Sequence, residues 1–385
     1  MNRVSHTRDM RSNRFAPLLI CTAFFLFFGI DAKAFTYDMY RNDYAKGAFC
    51  TAIAGACAAD IDPANSYFQN PASLEMGEPG LNFDGDYKPA DNIEPGMKTS
   101  NQVTENTFMG GVGYAGDQFG WAFSISGRTN NVKSNASFLN ELDQVRTLAS
   151  EDSNLTLLFN IPVAYRINSD LSVGASLNGI YYSEKITVEG AKVSATSAVN
   201  KFPSFSLRFG SIYRLSPYFR IGGWLRTPMT FSVVQDLNYS TSTFSVNSSE
   251  RVDLHYPFMS SIGLSFMPFA DKRTILFDLE FVGTTLYGFE RTLDTFDSAS
   301  NTSVKRAKGH KMVIQPHLAW RSPWTEGSLG TYYLGTHYES SRWEGLSGRI
   351  HGVTGVSYVV KSLDIETILA IDLASDFVSL QVSFR

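Results

Sequence analysis

The chain has 385 residues, 33 of them basic and 37 acidic, with 14% aromatic side chains and three cysteines. A net charge of −4 argues against a nucleic-acid partner, which needs concentrated positive charge. Beyond residue 34 no apolar run is long enough for a transmembrane helix, which leaves a soluble protein or one that crosses a membrane as strands.

Residues 1–34 read as a secretory signal. Arg3, Arg8, Arg11 and Arg14 precede an apolar run from Ala16 to Ile30, and Ala32-Lys33-Ala34 follows as a small-x-small cleavage site. The competing reading, an uncleaved anchor, suffers from the shortness of the run and the immediate cleavage pattern. Cleavage removes five basic and two acidic residues and leaves a net charge near −7 on a chain starting at Phe35.

The next stretch, 35–79, contains a small-residue segment, Gly47–Leu74, that ends in Asn70-Pro71-Ala72. Ala45–Ala59 is compatible with a helix. Cys50 and Cys57 lie seven residues apart, roughly 10 Å along a straight helix and too far for a bridge. They pair only if the segment bends at Gly55, so bridged and free forms both stay open. Their spacing matches no metal site.

From Gly80 onward the pattern has period two. In Arg251–Pro268, for example, Val252, Leu254, Tyr256, Phe258, Ile262, Leu264 and Phe266 form an apolar face. In Ser153–Arg166, Leu155, Leu157, Phe159, Ile161, Val163 and Tyr165 oppose Asn154, Thr156, Asn160 and Arg166. Fourteen such segments are expected: 80–89, 105–115, 118–129, 153–167, 170–189, 201–215, 218–236, 251–268, 273–290, 309–321, 328–339, 347–360, 362–373 and 376–384. Short turns alternate with longer polar loops, at 90–104, 130–152, 190–200, 237–250, 291–308 and 340–346. An even strand count with this alternation points to an all-β fold, a 14-stranded antiparallel transmembrane β-barrel occupying 80–385, rather than a soluble sandwich.

A barrel turns its apolar parity to lipid and its polar parity inward. The inward set includes Arg166, Arg208, Arg226, Asp278, Glu280, Gln315, His317, Arg321, His337, Glu339, Arg349, His351 and Glu366. These residues either pair with one another, or one arginine meets the anionic end of a ligand. Fourteen strands enclose more space than side chains fill, so 35–79 is expected as a small helical hatch inside the lumen. No GxSxG, HExxH, P-loop or Cys/His metal spacing occurs, so neither an enzyme nor a cofactor or metal is expected.

With these residues in view, the chain resembles the FadL-type outer-membrane transporters of long-chain fatty acids and other hydrophobic compounds. The likeness lies in AGACAAD and Asn70-Pro71-Ala72, in Asp117-Gln118-Phe119-Gly120-Trp121, and in Ile161–Ile167 followed by Leu171-Ser172-Val173-Gly174. It continues in Arg220-Ile221-Gly222 with Arg226-Thr227-Pro228. The resemblance implies a barrel with an N-terminal hatch, an apolar internal pocket and a lateral exit beside a kinked strand in the bacterial outer membrane. Hatch and gating residues would be Asn70, Pro71 and Ala72, with Gly110 and Gly111 as cheap places for the kink. Lys185, Arg208 and Arg226 are candidates for a ligand carboxylate. The loop 190–200 is short for the family's outer capture groove, which leaves small aromatic compounds open beside fatty acids. The expected partners are a hydrophobic small molecule and the lipid and lipopolysaccharide around a monomer. A general diffusion porin and a structural or adhesive barrel are the alternatives.

Overall fold

The computed structural model describes residues 47–61, 69–76, 80–90, 102–139, 145–188, 192–198, 204–240, 245–268, 273–283, 290–292, 306–325, 329–341, 344, 348–360, 365–373 and 377–384. The signal segment 1–34 lies outside them. No helix among the described residues is long and apolar enough to cross a membrane.

The described residues are all-β apart from two short turns of helix, α1 (Gly47–Ala52) and a 3₁₀ segment at Pro71–Glu75. The first strands are β1 (Gly80–Ala90), β2 (Gln102–Ala115), β3 (Phe119–Leu139), β4 (Val145–Arg166) and β5 (Leu171–Val188). Then come β6 (Lys192–Ala198), β7 (Ser204–Ser216), β8 (Phe219–Arg226), β9 (Met229–Ser240), β10 (Ser245–Tyr256) and β11 (Met259–Phe266). The rest are β12 (Thr274–Gly283), β13 (Glu290–Thr292), β14 (Arg306–Lys308), β15 (Met312–Pro323), β16 (Gly330–Glu339), β17 (Arg349–Val360), β18 (Ile365–Asp372) and β19 (Phe377–Phe384). Seventeen of them belong to one sheet, and β13 with β14 makes a separate hairpin.

Every ladder is antiparallel. β1 pairs with β2, β2 with β3, β3 with β4 and β4 with β5. β5 then pairs with β7, β7 with β8, β8 with β11, and β11 with β12. From β12 the order runs through β15, β16, β17 and β18 to β19, which pairs with β1 from Phe83↔Phe384 to Tyr87↔Leu380. A second tier continues this wall: β6 pairs with β5 and β9, and β9 with β10.

The two faces differ in the way the period-two pattern requires. On β7, Phe205, Leu207, Phe209, Tyr213 and Leu215 are exposed while Ser206, Arg208 and Ile212 are buried. On β12, Ile275 and Phe277 are exposed, and Leu276, Asp278 and Glu280 are buried. An exposed apolar surface this extensive fits hydrocarbon rather than water. Trp324 packs beside Tyr332 and Tyr358, ring centroids 5.4 Å and 5.9 Å away, as an aromatic group at one rim.

The core lies between the buried face and residues 47–76. Phe49, Ile53 and the two cysteines pack against Leu276, Ala319, Tyr333 and Ile368. Ala58 joins Trp224, Met259, Val282 and Val313, and Leu74 meets Met109, Ala122 and Ala164.

Three expectations are corrected. Much of 130–152, expected as a loop, is strand, because β3 reaches Leu139 and β4 begins at Val145. The expected loop 190–200 contains β6. Polar residues fall on both parities of these arms, so no sustained amphipathic alternation marks them in the sequence. The helix at Ala45–Ala59 is shorter than expected: α1 ends at Ala52, and the chain turns through Ala54 and Gly55, φ 51° and 85°.

Candidate functional site

That turn decides the cysteine question. Gly55 N–H donates to Cys50 O at 2.7 Å, and Cys50 and Cys57 come within 5.9 Å at their Cα atoms and form a disulfide. A glycine at the second left-handed position costs little, which is why the bend falls there.

Asn70 ties the two halves of the N-terminal segment to the wall. Its Oδ1 accepts from Ala72 N–H at 3.1 Å and caps the 3₁₀ turn, where Pro71 supplies the first residue. Its Nδ2 donates to Ala58 O at 2.7 Å and to Ser211 O of β7 at 3.0 Å. The whole side chain is buried. Asparagine alone among the small side chains supplies an acceptor and two donors at this length.

Wall residues complete the seat. Asp278 accepts from Ala58 N–H at 2.7 Å, Ser172 donates to Ala72 O at 3.0 Å, and His317 Nδ1 lies 2.6 Å from Ala54 O. Arg321 pairs with Asp60 at 3.0 Å. Arg166 donates to the carbonyl of Glu75 and lies 3.9 Å from its carboxylate. Burial pushes the Glu75 carboxyl above its ordinary value, and Arg166 pulls it only partly back.

Glycines on the buried face let the segment approach as backbone. A Cβ at Gly222 would lie 2.6 Å from Ala59 Cα and 2.7 Å from the Ala58 carbonyl carbon. One at Gly174 would lie 2.7 Å from Ala72 N, and one at Gly335 2.7 Å from Ala54 Cβ. Small residues on both sides of this interface replace side-chain interlocking with close main-chain contact.

Of the residues singled out in the sequence, Asn70, Pro71 and Ala72 sit together at this seat. Arg208 and Arg226 are buried cross-strand partners on β7 and β8. The Arg208 guanidinium lies 5.1 Å from the Trp224 ring centroid, and Arg226 donates to Met259 Sδ at 2.7 Å. Lys185 is not with them: it is exposed and shares the outward parity of Leu177. Gly110 and Gly111 are paired on both sides, to Gly85 and Asp84 and to Ile125 and Ser124.

The ladder lapses one seam further on. β3 and β4 pair at Trp121↔Val163 and resume at Ser124↔Asn160, leaving Ala122 and Phe123 without partners opposite Pro162 and Ile161. Pro162 has no N–H to give, so the interruption follows from its chemistry, whereas glycine only permits one. Leu74 closes the buried side of this seam against Ala122 and Ala164. On the outer face beside it, across β4, β5 and β7, lies an apolar hollow of about 300 Å³ lined by Phe159, Ile161, Leu177, Gly179, Ile180, Tyr181 and Phe205. A proline inside an alternating segment was the signal available in sequence.

No protein-family model matches the chain, and no curated protein matches it. Solved structures do. The toluene transporter TbuX of Ralstonia pickettii aligns over 88% of this chain and 97% of its own at 15% identity, with a TM-score of 0.61. The P. putida toluene transporter TodX aligns over 88% and 95% at 11% identity and a TM-score of 0.60. A Pseudomonas aeruginosa FadL homologue aligns over 88% and 98% at 11% identity and 0.59. At these identities the likeness is one of architecture, and it agrees with the resemblance read from the sequence: the chain has the fold of the FadL-type transporters.

Proposed function

We propose that the protein is a passive importer of hydrophobic molecules in the bacterial outer membrane. Residues 80–385 form a fourteen-stranded barrel, and 35–79 form a hatch across its lumen. It works without catalysis, as a monomer surrounded by outer-membrane lipid and lipopolysaccharide. The observation that carries the reading is the Pro162 seam, open in its ladder, apolar outside and backed by Leu74 of the hatch. The toluene transporters among the structural neighbours support the ligand class.

The physical logic is one of wetting. Each CH₂ exposed to water costs about 0.8 kcal/mol, so an apolar solute gains by leaving the lumen sideways into lipid. Movement of Leu74 with the hatch uncovers the seam, and the outer hollow receives the solute. For an acidic solute such as a long-chain fatty acid, Arg208 and Arg226 supply adjacent guanidinium groups for the carboxylate.

The test is uptake of labelled toluene and labelled oleate by a bacterial strain lacking its own hydrophobic-compound transporter. Expression of this chain should raise the uptake of at least one, and Pro162→Val should reduce that gain while the barrel still folds. Uptake equal to the empty vector for both solutes refutes the proposal. A large steady conductance in planar bilayers would instead favour a diffusion porin.

A further inference from the structure

Three histidines stand in a row on the buried face, at neighbouring positions of three strands. His317 of β15 pairs with His337 of β16, which pairs with His351 of β17. The His337 and His351 rings are stacked with centroids 4.1 Å apart and planes within 10°. Asp372 of β18 reaches the same place, its Oδ2 2.7 Å from His351 Nδ1. On the other side of that ring, Nε2 lies 3.0 Å from Glu339 Oε2. Glu339 is itself held by Arg349, at 2.8 Å from Nη2 and 3.1 Å from Nε.

We propose that His337, His351 and Asp372 form a binding site for a divalent transition-metal ion of the Zn²⁺ class. The three offer one ligand atom each, and these atoms all lie within 4.8 Å of one another. Metal–ligand bonds of about 2.0–2.2 Å place ligand atoms roughly 3.2–3.6 Å apart, so binding contracts the set and turns the His337 ring out of its stack until both imidazole lone pairs meet the ion. The surroundings are those a metal-bound imidazole uses. His351 Nδ1 faces Asp372, while its Nε2 lies 3.0 Å from Glu339 Oε2 and 3.1 Å from Arg349 Nε, so the groups that orient the ring from behind are already in place. An ion entering between Nδ1 and Oδ2 displaces the proton that joins them, and that proton leaves to solvent. Two imidazoles with a carboxylate suit Zn²⁺, Ni²⁺ or Cu²⁺ rather than Ca²⁺ or Mg²⁺, which prefer all-oxygen sets. The site also neighbours the seat, because His317 stacks on His337 at 5.3 Å and contacts Ala54 O.

The experiment is calorimetric titration of ZnCl₂ into the full chain, purified in detergent without a histidine tag and stripped with EDTA. Uptake of about one equivalent is expected, weakened at least tenfold by His337→Gln and by Asp372→Asn. Glu339→Gln, which touches His351 but is not one of the three ligands, should weaken it roughly 10–100-fold. Cobalt in place of zinc should give visible absorption bands that His337→Gln removes. His310→Ala, outside the site, should change nothing. His337 is only half-buried, so its substitution leaves the fold intact by the mobility of unheated protein in gels, and it decides the matter if Asp372→Asn misfolds. No saturable uptake by the parent overturns the proposal, and so does uptake that survives His337→Gln.

Discussion

Asn70→Asp is the sharpest test of the proposed hatch. The substitution keeps shape and the Oδ1 acceptor for Ala72 but removes both N–H donors and faces a carboxylate oxygen toward the carbonyls of Ala58 and Ser211, now 2.7 Å and 3.0 Å away. Each lost hydrogen bond costs about 1 kcal/mol net, and a buried acceptor left without a donor costs about 1–3 kcal/mol. Two such bonds set a floor of about 2 kcal/mol, which shifts the balance between the seated and displaced segment roughly 30-fold. The added charge, with only acceptors in front of it, pushes in the same direction. The wall ladders are untouched, so the barrel should still show its folded mobility in unheated gels. Planar-bilayer conductance should rise, and limited proteolysis should cut within 47–76 in the variant alone. Parent-like conductance together with parent-like protection would refute the assignment of Asn70 as the clamp.

Other perturbations of the seat have distinct signatures. Gly222→Val must push the backbone of Ala58 and Ala59 outward by about 1 Å, at a cost of about 1–3 kcal/mol, and should likewise raise conductance. Cys50→Ser opens a loop closed across a separation of seven residues and should destabilise the seated segment by about 2.5 kcal/mol, read as faster proteolysis that reducing agent reproduces in the parent. For Glu75 the sign follows from its raised carboxyl value. Its neutral form suits the seat, so that stabilisation is complete below the ordinary carboxylate range and is lost as pH rises through the raised value. Protection of the segment should therefore increase on mild acidification, and Glu75→Gln should hold it at the acid level at neutral pH. Protection that instead falls with acid in the parent and is unchanged by Glu75→Gln contradicts this.

The strands were legible where one face meets an apolar medium. Phe205, Leu207 and Phe209 alternate with Ser206 and Arg208, and β7 runs through them. The arms beyond the apolar belt, such as Asn130–Leu139, were not, because polar residues fall on both parities of their sequence and leave no continuous apolar face to read. Asn70 was visible as a motif, but its partner Ser211 lies 141 residues away, and Asp278, which accepts from Ala58, lies 220 residues from it, so no local spacing announces them. The histidines fell on the correct parity. Their grouping could not be read, since a cross-strand cluster depends on register, which linear metal motifs do not encode. Gly110 and Gly111 are paired on both sides, whereas the β3–β4 ladder lapses beside Pro162, where the residue lacks an N–H donor.

The glycine-lined seat has a consequence for the order of assembly. Ala52 touches Gly355, Ala58 touches Gly222 and Gly263, and Pro71 touches Gly174 and Gly210. A segment synthesised first thus rests on notches cut in strands from both halves of the chain, so its seat is finished only when the carboxy-terminal strands have arrived. Docking is accordingly a late event with large sequence separation, slow by the ordinary rule for distant contacts. The Cys50–Cys57 bridge, by contrast, spans only a few residues and is available before any strand has paired. That end of the segment can therefore fold on itself before the sheet that seats it is complete.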